Sequence, residues 1–292
     1  MNNRCLMKRA RYRMADEKRK PSDMKTKRPA HHDMYLMEQN YIMSSYHDGL
    51  LQLDCEKPDY PHLLDEVGKH TDIRICWAGQ KNFEQIVERI AGHARLVEVF
   101  SPKITDLTPL QSLSTAEYII VDWNQKATRL WDVSANTNLK ELALESFRKL
   151  TNLSDLATAR HITGLYLGGD LEKKWRINGL EPLVDLTNLE VLRLWEVRLD
   201  REAFQPLHHL KRLKYINAGT KICAAEEYAM LFAALEHTYC EFSSGVFPQP
   251  GLNIIERIGK GKRSTMSAEK AQEFSHAFQE SVQEYRRRMQ FS

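Results

Sequence analysis

The chain contains no apolar run approaching the roughly 18 residues that a membrane-spanning helix needs. Its N-terminus is basic, with no apolar stretch behind the charges, so it does not read as a secretory signal. The five cysteines, Cys5, Cys55, Cys76, Cys223 and Cys240, are scattered and form no Cys-x-x-Cys pair. An odd, dispersed set predicts reduced thiols in a cytoplasmic protein. No Cys/His cluster has zinc-ligand spacing, so no metal is expected; His31-His32 carry no motif, and His208-His209 read as solvated. Also missing are a dinucleotide fingerprint, a Ser-His-Asp elbow and a metal-binding His pair on one helix face. Gly259-Lys260-Gly261-Lys262-Arg263-Ser264 imitates a phosphate loop, but Glu256 stands where its first glycine belongs. These absences predict a protein that is not an enzyme and has no cofactor. A hydrolase or ligase assembled from 244–292 is the enzymatic alternative, and a fast-reacting cysteine would betray a catalytic thiolate.

What the chain does have is a repeat. Pro109-Leu110-Gln111-Ser112-Leu113, Pro182-Leu183-Val184-Asp185-Leu186 and Pro206-Leu207-His208-His209-Leu210 are copies of one pattern. Seven residues after each proline stands an apolar anchor: Ala116, Leu189 and Leu213. The full series of anchors is Ala94, Ala116, Leu139, Ile162, Leu189, Leu213 and His237, spaced by 22, 23, 23, 27, 24 and 24 residues. Other columns agree. Leu107, Leu130, Leu153, Leu180 and Phe204 lie nine before an anchor, and Leu110, Val133, Leu156, Leu183 and Leu207 six before. From each anchor a short strand runs with apolar residues at offsets 0, 3 and 5, as in Leu139/Leu142/Leu144 and Ile162/Leu165/Leu167.

One such repeat cannot bury its own apolar side, so neighbours must stack and share a core. The pattern resembles the bacterial leucine-rich repeats of internalin type, over about residues 94–243. The resemblance implies an α/β solenoid with a parallel sheet on its concave face, and a role in protein recognition. It departs from the family where an asparagine commonly follows the strand: only Asn124 is present, against Pro102, Phe147, Asp170, Val197 and Lys221 elsewhere. The repeat from 162 to 188 is long, and Gly168 to Trp175 reads as extra loop.

Four regions follow. Residues 1–40 read as a disordered basic tail. Residues 1–30 hold eleven Lys/Arg and three Asp/Glu, a net of +8, whereas the rest of the chain is about −5. Seven of the ten methionines fall in positions 1–43, which fits a start of translation further along; the other readings are a solvated tail or an arm for nucleic acid. Residues 41–93 read as an N-terminal cap, with a strand over Ile73–Trp77 and an amphipathic helix at 81–92. Residues 94–243 are the solenoid, with a helix at 224–236 leading to a last strand, Tyr239–Phe242. Residues 244–292 combine a loop with a helix that Ser267 caps. This helix carries the stripe Ala271, Phe274, Phe278, Val282, Tyr285 and Met289; it either caps the solenoid or protrudes to bind a partner.

Strand alternation turns the residues between the core leucines onto the concave surface. The positions expected there for partner binding are Phe100, Tyr118, Asp122, Trp123, Glu145, Tyr166, Arg193, Trp195, Glu196, Tyr215, Asn217, Tyr239 and Glu241, with Glu98 and Glu141 adding acid. Aromatics that bury large area, set among acids, make a hot-spot composition. The face suits a protein partner of basic or apolar character and disfavours a nucleic-acid backbone. The alternative is that flanking loops or the C-terminal helix cover it. The function expected is therefore a binding scaffold, with an immunity or inhibitor protein, or a nucleic-acid-associated protein using the basic arm, as alternatives.

Overall fold

A computed structural model describes residues 50–170, 173–249, 254–261 and 265–291. The tail at 1–40 lies outside them. Eight strands form one parallel sheet: β1 (Leu50–Asp54), β2 (Asp72–Cys76), β3 (Leu96–Phe100), β4 (Tyr118–Asp122), β5 (Glu141–Glu145), β6 (Gly164–Gly168), β8 (Val191–Trp195) and β10 (Tyr215–Asn217). They pair in sequence order, so each repeat lies against the next. This is the leucine-rich solenoid that the spacing predicts. Every anchor from Ala94 to Leu213 is buried, as are the leucines six and nine residues before the anchors, in one continuous core. A fully buried leucine is worth about 1.5–3 kcal/mol, so the stack is held chiefly by this shared apolar column.

The return arms are 3-10 turns, at Thr108–Ser112, Val133–Ala135, Ser154–Leu156, Glu181–Leu183 and Gln205–His209. Pro109, Pro182 and Pro206 sit in the first positions of three of them, where no intrahelical bond is asked of the nitrogen. Asn136 stitches two arms together. Its amide donates to the Leu110 and Leu113 carbonyls at 2.8 and 3.1 Å, and its oxygen accepts from Trp131 Nε1 at 2.7 Å. Asn124 does fill the expected turn role, accepting from Lys126 N and Ala127 N.

The sheet starts earlier than the repeat does in sequence. The strand expected at Ile73–Trp77 is β2, an interior strand, and β1 lies outside it. The expected helix is α2 (Gln80–Ile90), after a short α1 (Tyr60–Leu63). Phe83, Ile86, Val87 and Ile90 all point into the core, so α2 serves as the return arm between β2 and β3. Two further strands, β7 (Trp175–Ile177) and β9 (Val197–Leu199), pair in parallel. Trp175 therefore belongs to the core and not to a loop. It stacks on Phe147 at 5.3 Å and donates from Nε1 to the Leu150 carbonyl.

The C-terminal end differs from expectation in three respects. The side chain of His237 is 94% exposed, so it is no anchor; Leu235 at the end of α3 (Ala225–Ala234) is buried instead. The last strand shrinks to a single bridge, Tyr239 to Tyr215, and the chain then turns through Cys240–Gly245. Cys240 is buried as expected. The segment after it is not all loop: β11 (Val246–Gln249), β12 (Ile254–Arg257) and β13 (Thr265–Met266) make a small antiparallel sheet. Helix α4 (Ala268–Gln290), capped by Ser267, packs along α3, with Phe278 edge-on to Phe232 at 6.1 Å. Ala271, Phe278 and Val282 are buried, so α4 covers the end of the solenoid. Among the described residues no helix is long and apolar enough to cross a membrane.

Candidate protein-binding face

The register lines the inward positions up in rows across the sheet. One row carries Asp72, Leu96, Tyr118, Glu141, Gly164, Val191 and Tyr215. The next carries Arg74, Glu98, Ile120, Ala143, Tyr166, Arg193 and Asn217, and a third carries Cys76, Phe100, Asp122, Glu145, Gly168 and Trp195. Nine of the thirteen sequence-predicted residues stand in these rows; Trp123 and Glu196 lie just past strand ends, Tyr239 bridges to Tyr215, and Glu241 falls in the turn after it. Along the rows Tyr118, Tyr166 and Tyr215 pack with Leu96, Ile120, Ala143 and Val191 in an apolar cluster separate from the main core. Tyr239 stacks on Tyr215 at 5.8 Å.

The structure grades these positions by exposure. Tyr118, Asp122, Glu145, Tyr166 and Tyr215 are buried, while Phe100, Trp123, Arg193, Trp195, Glu196, Asn217, Tyr239 and Glu241 are partly exposed. Neither α3 nor α4 provides the cover that the alternative reading expected of the C-terminal helix: α4 packs on α3 and the small sheet. Two glycines account for part of the arrangement. In β6, Gly164 and Gly168 have no side chain, and Glu141 and Glu145 lie across them from β5: a Cβ would stand 2.8 Å from Glu141 Cγ and 2.7 Å from Glu145 Oε1. So laid, Glu141 accepts a hydrogen bond from the Tyr166 hydroxyl at 2.9 Å.

At the N-terminal half, residues that the cap reading missed join the face. Arg74 pairs with Glu98 at 3.3 Å, and its guanidinium lies 4.9 Å from the Phe100 ring centroid. Trp77 meets Phe100 edge-on at 5.6 Å, and Phe100 meets Trp123 in the same way at 6.2 Å. Burial pushes the Glu98 carboxyl up to about 7; Arg74 opposes the shift and nearby Asp122 adds to it. Burial likewise raises the Tyr215 phenol, with Glu241 adding to it. At the other end the Arg193 guanidinium lies 5.8 Å from the Trp195 ring. Alternation over Ile73 to Cys76 already placed Arg74 off the core face; it put Trp77 in phase with Ile73 and Ile75, and the left-handed backbone at Trp77, just past the strand, had no signal in the sequence.

The strands end in an unusual way. Trp77, Ser101, Trp123, Ser146 and Glu196 all have positive φ, between 47° and 63°. Left-handed backbone costs an L-residue roughly 1–2 kcal/mol, and bulky side chains seldom adopt it. Here it recurs at the position where the chain leaves the sheet, and at two of those sites it holds a tryptophan at the rim of the face. Sequence reasoning placed Trp123 and Glu196 on the face but had no signal for this strain.

Other candidates carry less. His208 is half-buried, not solvated; burial lowers its pKa, and its Nε2 has no hydrogen-bond partner among the described residues. Among the described residues no three His, Cys, Asp or Glu side chains converge to hold a metal.

The stacked parallel strands and turned return arms define a leucine-rich repeat solenoid. Solved structures similar to this chain are internalins of Listeria monocytogenes str. 4b F2365. One, inlF, is 20% identical with a TM-score of 0.44, covering 64% of this chain and 50% of its own. Another, inlC2, is 23% identical with a TM-score of 0.39, covering 52% of this chain and 62% of its own. The chain thus spans less than two thirds of either internalin. No family model matches it, and no curated protein does.

Proposed function

We propose that this protein is a non-enzymatic scaffold that binds a protein partner on the concave face of its solenoid. The observation that carries the reading is the rim: Trp77, Phe100 and Trp123 form an edge-to-face chain, and two of the three sit on left-handed backbone. Backbone strain of this kind concentrates at functional sites, and aromatics in a partly covered row are the usual anchors of an interface. Trp123 and Trp195, which are partly exposed, are the anchors, backed from beneath by buried Tyr166, Tyr215 and Glu145, with Arg193 and Glu196 setting partner choice. Glu196 and Glu241, the partly exposed acids among these positions, favour a partner that presents cations.

The test is capture from lysate of the native host by the full chain and by full chains carrying Trp123→Ala or Trp195→Ala, each checked for an unchanged far-UV spectrum. A partner retained by the parent and lost with both variants supports the reading. Partners retained equally by all three, or a nucleic acid whose binding salt abolishes and both variants keep, would overturn it in favour of the basic N-terminal segment.

A further inference from the structure

Helix α4 covers the end of the solenoid with one side and borders an open groove with another. The groove runs between α4 and the small antiparallel sheet and has a volume of about 490 Å³. Val246, Pro248, Ile255 and Ala271 supply its apolar lining. The polar groups beside them are already engaged: Ser275 Oγ donates to the Ser244 carbonyl at 2.8 Å, and Gln279 Nε2 donates to the Ser243 carbonyl at 2.6 Å. What the groove offers an occupant is therefore apolar surface.

The same helix presents an apolar side chain to match. Among the described residues Phe291 and Met289 are the large apolar side chains left exposed, and Phe291 is 90% exposed. From Ser275 to Phe291 the chain rises roughly 24 Å, at about 1.5 Å per residue, along one unbroken helix. Phe291 therefore cannot enter the groove of its own chain. The groove of a second copy is within reach if the two α4 helices cross antiparallel. Charge supports the same arrangement. Residues 268–280 carry Glu269, Glu273 and Glu280 against Lys270, a net of −2. Residues 284–290 carry Arg286, Arg287 and Arg288 against Glu284, a net of +2. Antiparallel, each acidic half faces a basic half, and the two-fold axis repeats the match. The helix dipole accounts for acid in the first turn and base in the last, but not for Glu280 or for an exposed phenylalanine. The pairs of Glu280 with His276 and of Glu284 with Arg288 within the helix are exposed, and such pairs contribute little on their own. Between the charges stand the exposed Gln272, Gln279, Gln283 and Gln290, spaced by seven, four and seven residues and so on one side of α4. A seam of this kind costs less to desolvate than a row of ions.

We infer that this side of α4 is a self-association surface: two copies cross their α4 helices antiparallel, and Phe291 of each enters the groove of the other. The contact is isologous, so it closes as a dimer. Because α4 packs on α3 and the small sheet, away from the strand rows, each copy keeps its concave face, and the dimer carries two.

Sedimentation equilibrium of the full chain tests this. The parent should be dimeric at about 100 µM, and Phe291→Ser should weaken the dimer roughly tenfold or more. Two charge reversals give the sharper result. One full-length variant carries Glu273→Lys and Glu280→Lys, another Arg287→Glu and Arg288→Glu, and each should be monomeric alone. Mixed in equal amounts they should form a heterodimer, because both halves of one helix again face opposite charge on the other. A variant that failed to fold could not recover in this way. A parent that is monomeric at that concentration overturns the inference. So does a dimer that keeps its affinity in Phe291→Ser, or a pair of reversed variants that stay monomeric when mixed.

Discussion

Glu141 lies across Gly164: the two are paired in register on β5 and β6, and a Cβ on the glycine would come within 2.8 Å of the glutamate Cγ. The strand GLYLG carries a glycine at each end of its inward-facing set, which leaves room above it. That room lets a charged side chain run flat over the sheet and reach the Tyr166 hydroxyl.

Gly164→Ala should therefore destabilise the protein by about 1–3 kcal/mol, the usual cost of overpacking a tight site. In a Glu141→Ala background the same substitution should cost less than about 0.5 kcal/mol, because the clash is gone. Chemical denaturation of the four members of this cycle gives the coupling directly. Equal costs in both backgrounds would mean that the glutamate does not lie over the glycine.

Asn136→Ala should cost roughly 2–4 kcal/mol. It removes two bonds to the preceding arm and leaves the buried Trp131 N–H without its acceptor. Exposed Asn138, which makes one bond to the Ser114 carbonyl, is the control, and its alanine variant should fall within about 1 kcal/mol of the parent. Thermal melts of both variants check the difference.

The pH dependence of stability should carry a signature of Glu98. Its carboxyl titrates near 7 in the folded protein, above its ordinary 4.5. The folded state then holds a proton that the unfolded state has released, so this contribution is full below about pH 4.5 and is lost as pH rises through 7. Glu98→Gln should flatten the stability curve between those two values. A variant whose curve keeps the parent's slope in that window would contradict the burial assigned to this carboxyl.

Cys55, Cys76, Cys223 and Cys240 are free thiols, and burial pushes their pKa up to about 11, 12, 12 and 12 respectively. With Cys5 changed to serine, the folded protein should react with a disulfide reagent at pH 8 slowly at partly exposed Cys55, whose raised pKa leaves little thiolate, and at Cys76, Cys223 and Cys240 only as fast as it unfolds. One rapid thiol among these four would restore the enzymatic alternative.

The repeat was legible because the core columns obey a fixed offset, and leucine, valine and isoleucine at those offsets have nowhere to go but inward. The failures have local causes. His237 kept the spacing, but the ten-residue helix α3 delivers Leu235 to the core first, and the histidine falls in the turn beyond it. Trp175 was hidden in an insertion because a single tryptophan in a Gly/Lys-rich stretch has no period to reveal it. β11 was masked by Pro248, which an edge strand accepts and an interior strand would not. On the concave face, alternation gathered most of the chosen residues into the inward rows of the sheet. Their burial could not be read, since it depends on side chains such as Glu141 reaching across neighbouring strands.

Affinity for the captured partner separates binding on the concave face from binding on the loop side. Calorimetric titration of the parent, Trp195→Ala and Arg160→Ala compares a concave residue with an exposed residue on the loop side, where Arg160 pairs with Asp185 at 3.6 Å. The account predicts that Trp195→Ala weakens binding by about 2 kcal/mol or more and that Arg160→Ala leaves it unchanged. An intact affinity in Trp195→Ala with a loss in Arg160→Ala would put the binding surface on the opposite side of the solenoid.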